Sequence, residues 1–188
     1  MPMTPRIAHA MCGALALVAA CELPHDRAAA TCGPDADCPA GQVCVDQVCV
    51  AEPSTCAQAV SAGDGHSCAI REDHTAWCWG RNEAGQLGDG TVDDRTEPVQ
   101  VAGATSFTAI AAGFDHTCAV AEDRSVWCWG SNESGQAGNA AASLQPVPVG
   151  NISDVTAITV GRDHSCALTG DGHVKCWGAN DSGQLGNG

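Results

Sequence analysis

The chain has 188 residues, of which 13 are cysteine, 5 tryptophan, 2 phenylalanine and none tyrosine, a balance that excludes an ordinary aromatic core and an ordinary cytosolic life. Eight basic residues face 22 acidic ones, for a formal charge of −14. The basic residues form no run or stripe, so the chain repels phosphate backbones and nucleic acid is excluded as a partner.

Residues 1–20 read as an export signal: Arg6 supplies a short positive region and Ile7 to Ala20 is apolar, rich in small residues and too short to span a bilayer. Its end, Leu17-Val18-Ala19-Ala20-Cys21, resembles a bacterial lipobox. That resemblance implies cleavage before Cys21, lipidation of Cys21 and attachment to a membrane through the lipid, with the outer membrane favoured over the inner. A plain signal-peptidase site followed by an accidental cysteine is the alternative. Cleavage removes Arg6 and no acid, leaving seven basic residues against the 22 acidic ones, a charge of −15.

Residues 21–31 are alanine-rich and aperiodic, a tether. Residues 32–56 hold cysteines at 32, 38, 44 and 49 among Gly, Pro and Asp, the pattern of a small disulfide module. Cys32–Cys44 with Cys38–Cys49 is the pairing adopted among three, although spacing alone does not choose. Zinc fits poorly, because the segment contains no histidine and only Cys44 and Cys49 have a close spacing.

Residues 57–188 repeat. Gly63-x-x-His66-Ser67-Cys68-Ala69 returns at Gly113 and again at Gly161, and each copy continues to a Cys-Trp-Gly triplet opened by Cys78, Cys128 or Cys176. Asn82-x-x-Gly85-Gln86-Leu87-Gly88 then recurs from Asn132 and from Asn180. Within each copy the apolar residues alternate with period two, as in FTAIAAG, HTCAVAE and SVWCWG, followed by short extended runs such as PVQV and PVPV. This predicts four short strands per copy, over 57–102, 103–150 and an incomplete 151–188. The size is that of a propeller blade.

The His-Ser-Cys-Ala segment, the Trp-Gly and the Gly-Gln-Leu-Gly loop together resemble the repeats of the regulator of chromosome condensation family, from about Val60 onward. The resemblance implies a seven-bladed propeller. The fold class expected here is therefore all-β: four-stranded antiparallel blades, two complete and part of a third, preceded by the small disulfide-rich module.

The turn in each copy falls midway between its two cysteines, so the register of a three-residue hairpin sets Cys68 opposite Cys78, Cys118 opposite Cys128 and Cys166 opposite Cys176. A disulfide across each hairpin closes a short loop, worth about 2.5–3 kcal/mol. On the other face the same register sets Trp79, Trp129 and Trp177 opposite Ser67, Thr117 and Ser165. Large opposite small suits stacked sheets, so these three tryptophans are expected between blades. The position of Trp77 and Trp127 becomes Lys175 in the third copy and should lie nearer the surface.

Other chemistry is weaker. The pairs His66/Cys68, His116/Cys118 and His164/Cys166 have zinc-ligand residue types, but an exported chain oxidises its thiols, and the histidines equally suit inter-blade hydrogen bonds. A catalytic thiol needs one distinct environment, whereas these sites are equivalent. The acidic loop after Leu87 lacks the calcium-loop pattern and reads as solvated, and the sequons at Asn132, Asn151 and Asn180 read as coincidence. No cofactor is implied.

Cysteine parity leaves Cys56 unpaired once Cys12 and Cys21 are set aside. With a third copy that stops early, this suggests a truncated product of a longer gene, or partial rings that assemble. The expected function is a non-enzymatic, lipid-anchored binding protein of the bacterial envelope, with a protein or glycan partner. The GTPase and chromatin roles of some family members do not carry over to an exported, acidic chain without a basic tail. A secreted bacterial member inhibits β-lactamase, so inhibition of a secreted enzyme is one alternative. A hydrolase or lyase with active residues in loops or in further blades is a second, and an inactive fragment a third.

Overall fold

Alternating apolar and small polar residues, punctuated by Gly, Asp and Asn, place short strands between tight turns throughout the repeats. The computed structural model describes residues 42–45, 48–51, 56–103, 105–139 and 141–188. The chain divides into two units, Met1–Glu52 and Pro53–Gly188. In the first, β1 (Gln42–Val45) and β2 (Val48–Ala51) form an antiparallel hairpin whose backbone register places Cys44 across from Cys49. Cys21, Cys32 and Cys38 lie outside the described residues, and with them the lipidation site and the expected pairings Cys32–Cys44 and Cys38–Cys49.

The second unit is all-β, and no helix occurs among the described residues. Its first sheet contains β3 (Ala57–Ala62), β4 (His66–Arg71), β5 (Ala76–Gly80) and β6 (Arg95–Gln100) in consecutive order. The second contains β7 (Phe107–Ala112), β8 (His116–Ala121), β9 (Val126–Gly130) and β10 (Ser143–Pro148). The third has three strands, β11 (Val155–Val160), β12 (His164–Thr169) and β13 (Val174–Gly178). All neighbours are antiparallel, and the first strand of each sheet lies beside that of the next.

The hairpin register follows the sequence pattern residue for residue. Cys68 opposes Cys78, Ala69 opposes Trp77 and Ser67 opposes Trp79, with the same pairings in the other two sheets. Each loop is three residues long and ends in a left-handed residue: His74 (φ 62°), Arg124 (φ 64°) or Gly172 (φ 84°). Asp73 Oδ1 closes the first loop by accepting from Thr75 N at 3.0 Å and from its hydroxyl at 2.6 Å, and Asp123 repeats this with Ser125.

Two features depart from simple alternation. The second residue of each first strand is a bulge: Gln58, Thr108 and Thr156 fall between paired residues. Each returns a side-chain hydrogen bond to the adjacent strand, Gln58 Nε2 to Arg71 O at 3.1 Å, Thr108 Oγ1 to Val120 O at 3.3 Å and Thr156 Oγ1 to Leu168 O at 3.2 Å. The outer strands also begin earlier than the PVQV and PVPV runs, at Arg95 and Ser143, with a register shift that takes up Pro98 and Pro146. A proline has no N–H for a ladder, so an edge strand with an irregular register is where it fits.

The core lies between sheets rather than within one. Cys68, Cys78, Ile70 and Ala76 of the first sheet pack with Phe107, Ile110, Ala119 and Trp129 of the second. Cys118, Cys128, Val120 and Val126 then pack with Val155, Ala167 and the partly buried Trp177. A blade buries one face against each neighbour.

Candidate functional site

Each cysteine pair is bonded, with Cα atoms 4.1 Å apart in Cys68–Cys78, Cys118–Cys128 and Cys166–Cys176. Cys56 is also disulfide-bonded, which corrects the expectation that it is spare. Cysteine parity limits how many bridges a chain can form, not which residues share them.

The repeated polar residues meet at the blade junctions. His66 Nε2 lies 2.8 Å from Thr117 Oγ1, which donates to the Gln86 carbonyl at 2.8 Å. The same carbonyl accepts Trp129 Nε1–H at 2.9 Å. The next junction repeats the arrangement with His116 Nε2 3.0 Å from Ser165 Oγ, and with Ser165 Oγ and Trp177 Nε1 both 2.9 Å from the Gln136 carbonyl. Since the hydroxyl proton goes to the carbonyl, the hydroxyl accepts from Nε2–H. Both histidines are then neutral with a bare Nδ1, and both Nδ1 atoms are buried without a hydrogen-bond partner. Burial lowers each pKa to about 4.

Trp129 is fully buried and Trp177 half-buried, both between blades. Trp79, at the equivalent position on β5, is half-buried, and no sheet among the described residues covers its side of the first blade. Trp77 and Trp127 are half-buried and donate to Thr75 and Ser125 hydroxyls at 2.9 Å, while Lys175 is exposed.

The Asn-x-x-Gly-Gln-Leu-Gly loops exist to deliver that carbonyl. Asn82 Oδ1 accepts from Leu87 N, Asn132 Oδ1 from Ala137 N and Asn180 Oδ1 from Leu185 N, at 2.9–3.0 Å. Gln86, Gln136 and Gln184 each fold back so that Oε1 accepts the backbone N–H two residues earlier at 2.9 Å. Gly88 has φ +71°, and a Cβ there would lie 2.6 Å from Trp129 Nε1, so glycine is required twice over. The acidic loop after Leu87 is not simply solvated: Asp89 pairs with Arg95 at 2.8 Å, and Asp94 accepts from Asn82 N at 2.7 Å.

One position that differs in every copy gathers elsewhere. The Gly-x-x-His turns bring Asp64, Phe114 and Arg162 to one end of the row formed by β3, β7 and β11, around an open hollow of about 300 Å³. Gly113 permits the close approach there, since a Cβ would meet the Gly161 carbonyl at 2.8 Å. The Arg162 guanidinium lies 4.1 Å from the centre of the Phe114 ring, and Arg81 reaches Asp115 at 3.4 Å. Among the described residues no group of three or more His, Cys, Asp or Glu is gathered to hold a metal ion. His66 and His116 are directed to hydroxyls, and in all three copies the sulfurs are bonded to each other. Sequence reasoning missed the hollow because Asp64, Phe114 and Arg162, which follow the repeated glycines there, share no residue type; their variation within an otherwise repeated frame was the available signal.

Comparisons with known proteins agree with this architecture. The model of the regulator of chromosome condensation repeat matches residues 57–86, 107–136 and 155–184, and a second model of the repeat matches 73–120 and 123–168. A search of curated protein sequences finds no match. The solved structure of Prp20p from Saccharomyces cerevisiae superposes with a TM-score of 0.65 at 23% identity, over 70% of this chain and 35% of that one. Human WBSCR16 gives 0.60 at 23% identity, over 65% and 33%. The chain thus spans about a third of the length of these structures, and the likeness at this identity concerns the fold. With three copies of the motif in register on propeller-like sheets, the chain belongs to the regulator of chromosome condensation repeat family.

Proposed function

We propose that this chain is a non-enzymatic binding protein, lipid-anchored through Cys21 in the bacterial cell envelope, which presents the Asp64–Phe114–Arg162 rim to a protein or glycan partner. One observation carries the reading. The repeated polar side chains (His66 and His116, Thr or Ser, Asn, Gln) are engaged in holding the scaffold, whereas Asp64, Phe114 and Arg162, which share one repeat position and differ between copies, line the hollow. An aromatic ring overlaid by a guanidinium beside carboxylates suits a polar partner surface or a sugar face. The yeast Prp20p structure is described with that protein's binding to Gsp1p and histones. We do not carry those partners over to a chain of formal charge −14 without a basic run.

Three experiments test the reading. Photo-crosslinking from Phe114 in intact envelopes should yield a discrete adduct that is lost in Arg162→Glu. A broad hydrolase and lyase substrate panel, with and without EDTA, should show no turnover, and turnover that depends on the rim would overturn the binding reading. Cys21→Ser should abolish metabolic incorporation of a lipid probe and release the protein from membranes; unchanged labelling would refute the anchor alone.

A further inference from the structure

The side chains that share one repeat position around the hollow run in the order acid, ring, base. Asp64, Phe114 and Arg162 each follow the glycine of their turn, on successive sheets. The turns abut: Asp64 N–H donates to the Gly113 carbonyl at 3.1 Å, and a Cβ on Gly113 would meet the Gly161 carbonyl at 2.8 Å. Backbone contact between neighbouring sheets therefore fixes the row, and with it the order of the charges.

Two guanidiniums attend the Phe114 ring, Arg162 at 4.1 Å from its centre and Arg81 at 5.8 Å. They are not equivalent. Arg81 is committed: its Nε and Nη2 both donate to Glu83 Oε2, at 2.9 and 2.6 Å, and its Nη1 lies 3.4 Å from Asp115 Oδ1. Arg162 has one ion pair, from Nε to Asp163 at 3.4 Å, and its terminal nitrogens have no hydrogen-bond partner among the described residues. Its head rests over a residue of the second sheet, so its place is set from within the array. The Asp64 carboxylate likewise has neither a hydrogen bond nor an ion pair among the described residues.

We propose that the hollow takes a dipolar segment of a partner protein, with an acidic side chain on Arg162 and a basic one on Asp64. A guanidinium already stacked on a ring loses little freedom when its terminal N–H groups take up a carboxylate. The same stacking turns the choice between a protein and a glycan toward the protein, since a sugar on Phe114 would compete with the guanidinium for the ring. A purely anionic segment would approach against the formal charge of −14, whereas one that carries both charges does not. The assignment rests on the rim being the binding surface and adds the chemistry of what it binds.

Fluorine NMR of the oxidised full-length chain in detergent tests this. Biosynthetic 4-fluorophenylalanine labels only Phe107 and Phe114, and Phe107, 2% exposed in the core, serves as the internal reference for folding. The probes are the peptides Ac-Lys-(Gly)n-Glu-NH2 with n from zero to three, their glutamine-for-glutamate and norleucine-for-lysine analogues, and methyl glucuronoside as an acidic sugar. At least one spacing should shift the Phe114 line saturably and leave the Phe107 line in place. Glutamine for glutamate should weaken binding about tenfold in the wild type and not in Arg162→Gln. Norleucine for lysine should weaken it about threefold in the wild type and not in Asp64→Asn. No saturable shift at any spacing, an equal response to the glutamine peptides, or glucuronoside binding as tight as the best peptide would each overturn the proposal. A Phe114 crosslink that survives such a result would keep the rim as the binding surface and remove only the dipolar partner.

Discussion

Replacing Thr117 by valine keeps the shape of the side chain and removes one hydroxyl from the first blade junction. Two partners are affected: the Gln86 carbonyl loses its 2.8 Å donor but retains Trp129, and His66 loses the acceptor of its Nε2–H. His66 is 3% exposed and its Nδ1 is already without a partner, so both ring nitrogens become unsatisfied in a dry site. An orphaned buried donor costs about 1–3 kcal/mol, while the carbonyl, still bonded once, adds little. The expected loss is therefore about 2 kcal/mol, or about 1 M in urea midpoint for a slope near 2 kcal/mol/M. Denaturation under non-reducing conditions, followed by tryptophan fluorescence and far-ultraviolet circular dichroism, measures it. If the two groups act as a unit, Thr117→Val made in a His66→Leu background should cost much less than it does alone. A loss under about 0.5 kcal/mol, or simple additivity with His66→Leu, would refute the relay as a stabilising element.

Three further outcomes follow from the same geometry. His66 and His116 have folded pKa values of about 4, below the ordinary value of 6.5; the unfolded chain therefore binds more protons between those values, so stability is level above pH 6.5 and falls as pH drops toward 4. That loss is about 3 kcal/mol per histidine, readable from urea midpoints across the range, and a flat profile would contradict the buried neutral rings. Gly88→Ala should cost more than about 2 kcal/mol and alter Trp129 fluorescence, because it sets a Cβ against the indole at a left-handed backbone angle; an unchanged melting temperature would count against that packing. Removing Cys118–Cys128 by paired alanine substitutions should destabilise by about 2.5–3 kcal/mol, measured against the oxidised parent in guanidinium, and parity with the parent would show that the bridge does not limit the unfolded state.

The blade hairpins were legible in the sequence because a disulfide, a three-residue turn and period-two alternation all specify one register. The cysteine pairs, the large-beside-small rows at Trp77 and Ala69, and the inter-blade position of Trp129 and Trp177 follow from counting outward from Asp73, Asp123 and Asp171. The bulges at Gln58, Thr108 and Thr156 were not legible, since an extra residue in a strand leaves no mark when its side chain bonds back to the sheet. The asparagine and glutamine of the loops could be seen to repeat, but their task of aiming one carbonyl depends on contacts between blades. Cys56 was misassigned because parity carries no geometry. The hollow escaped because Asp64, Phe114 and Arg162 share a location without sharing a chemistry.

Every blade bridge joins cysteines ten positions apart inside a single hairpin. Oxidation at these sites therefore involves no search through the rest of the chain, because the correct partner is at high effective concentration once the turn has formed. Each hairpin can thus lock as soon as its own turn has formed, before the neighbour against which it will pack is in place. Covalent closure by nearest partner keeps scrambled linkages rare without relying on a completed core, an advantage for an array whose sheets have little to hold them until they stack.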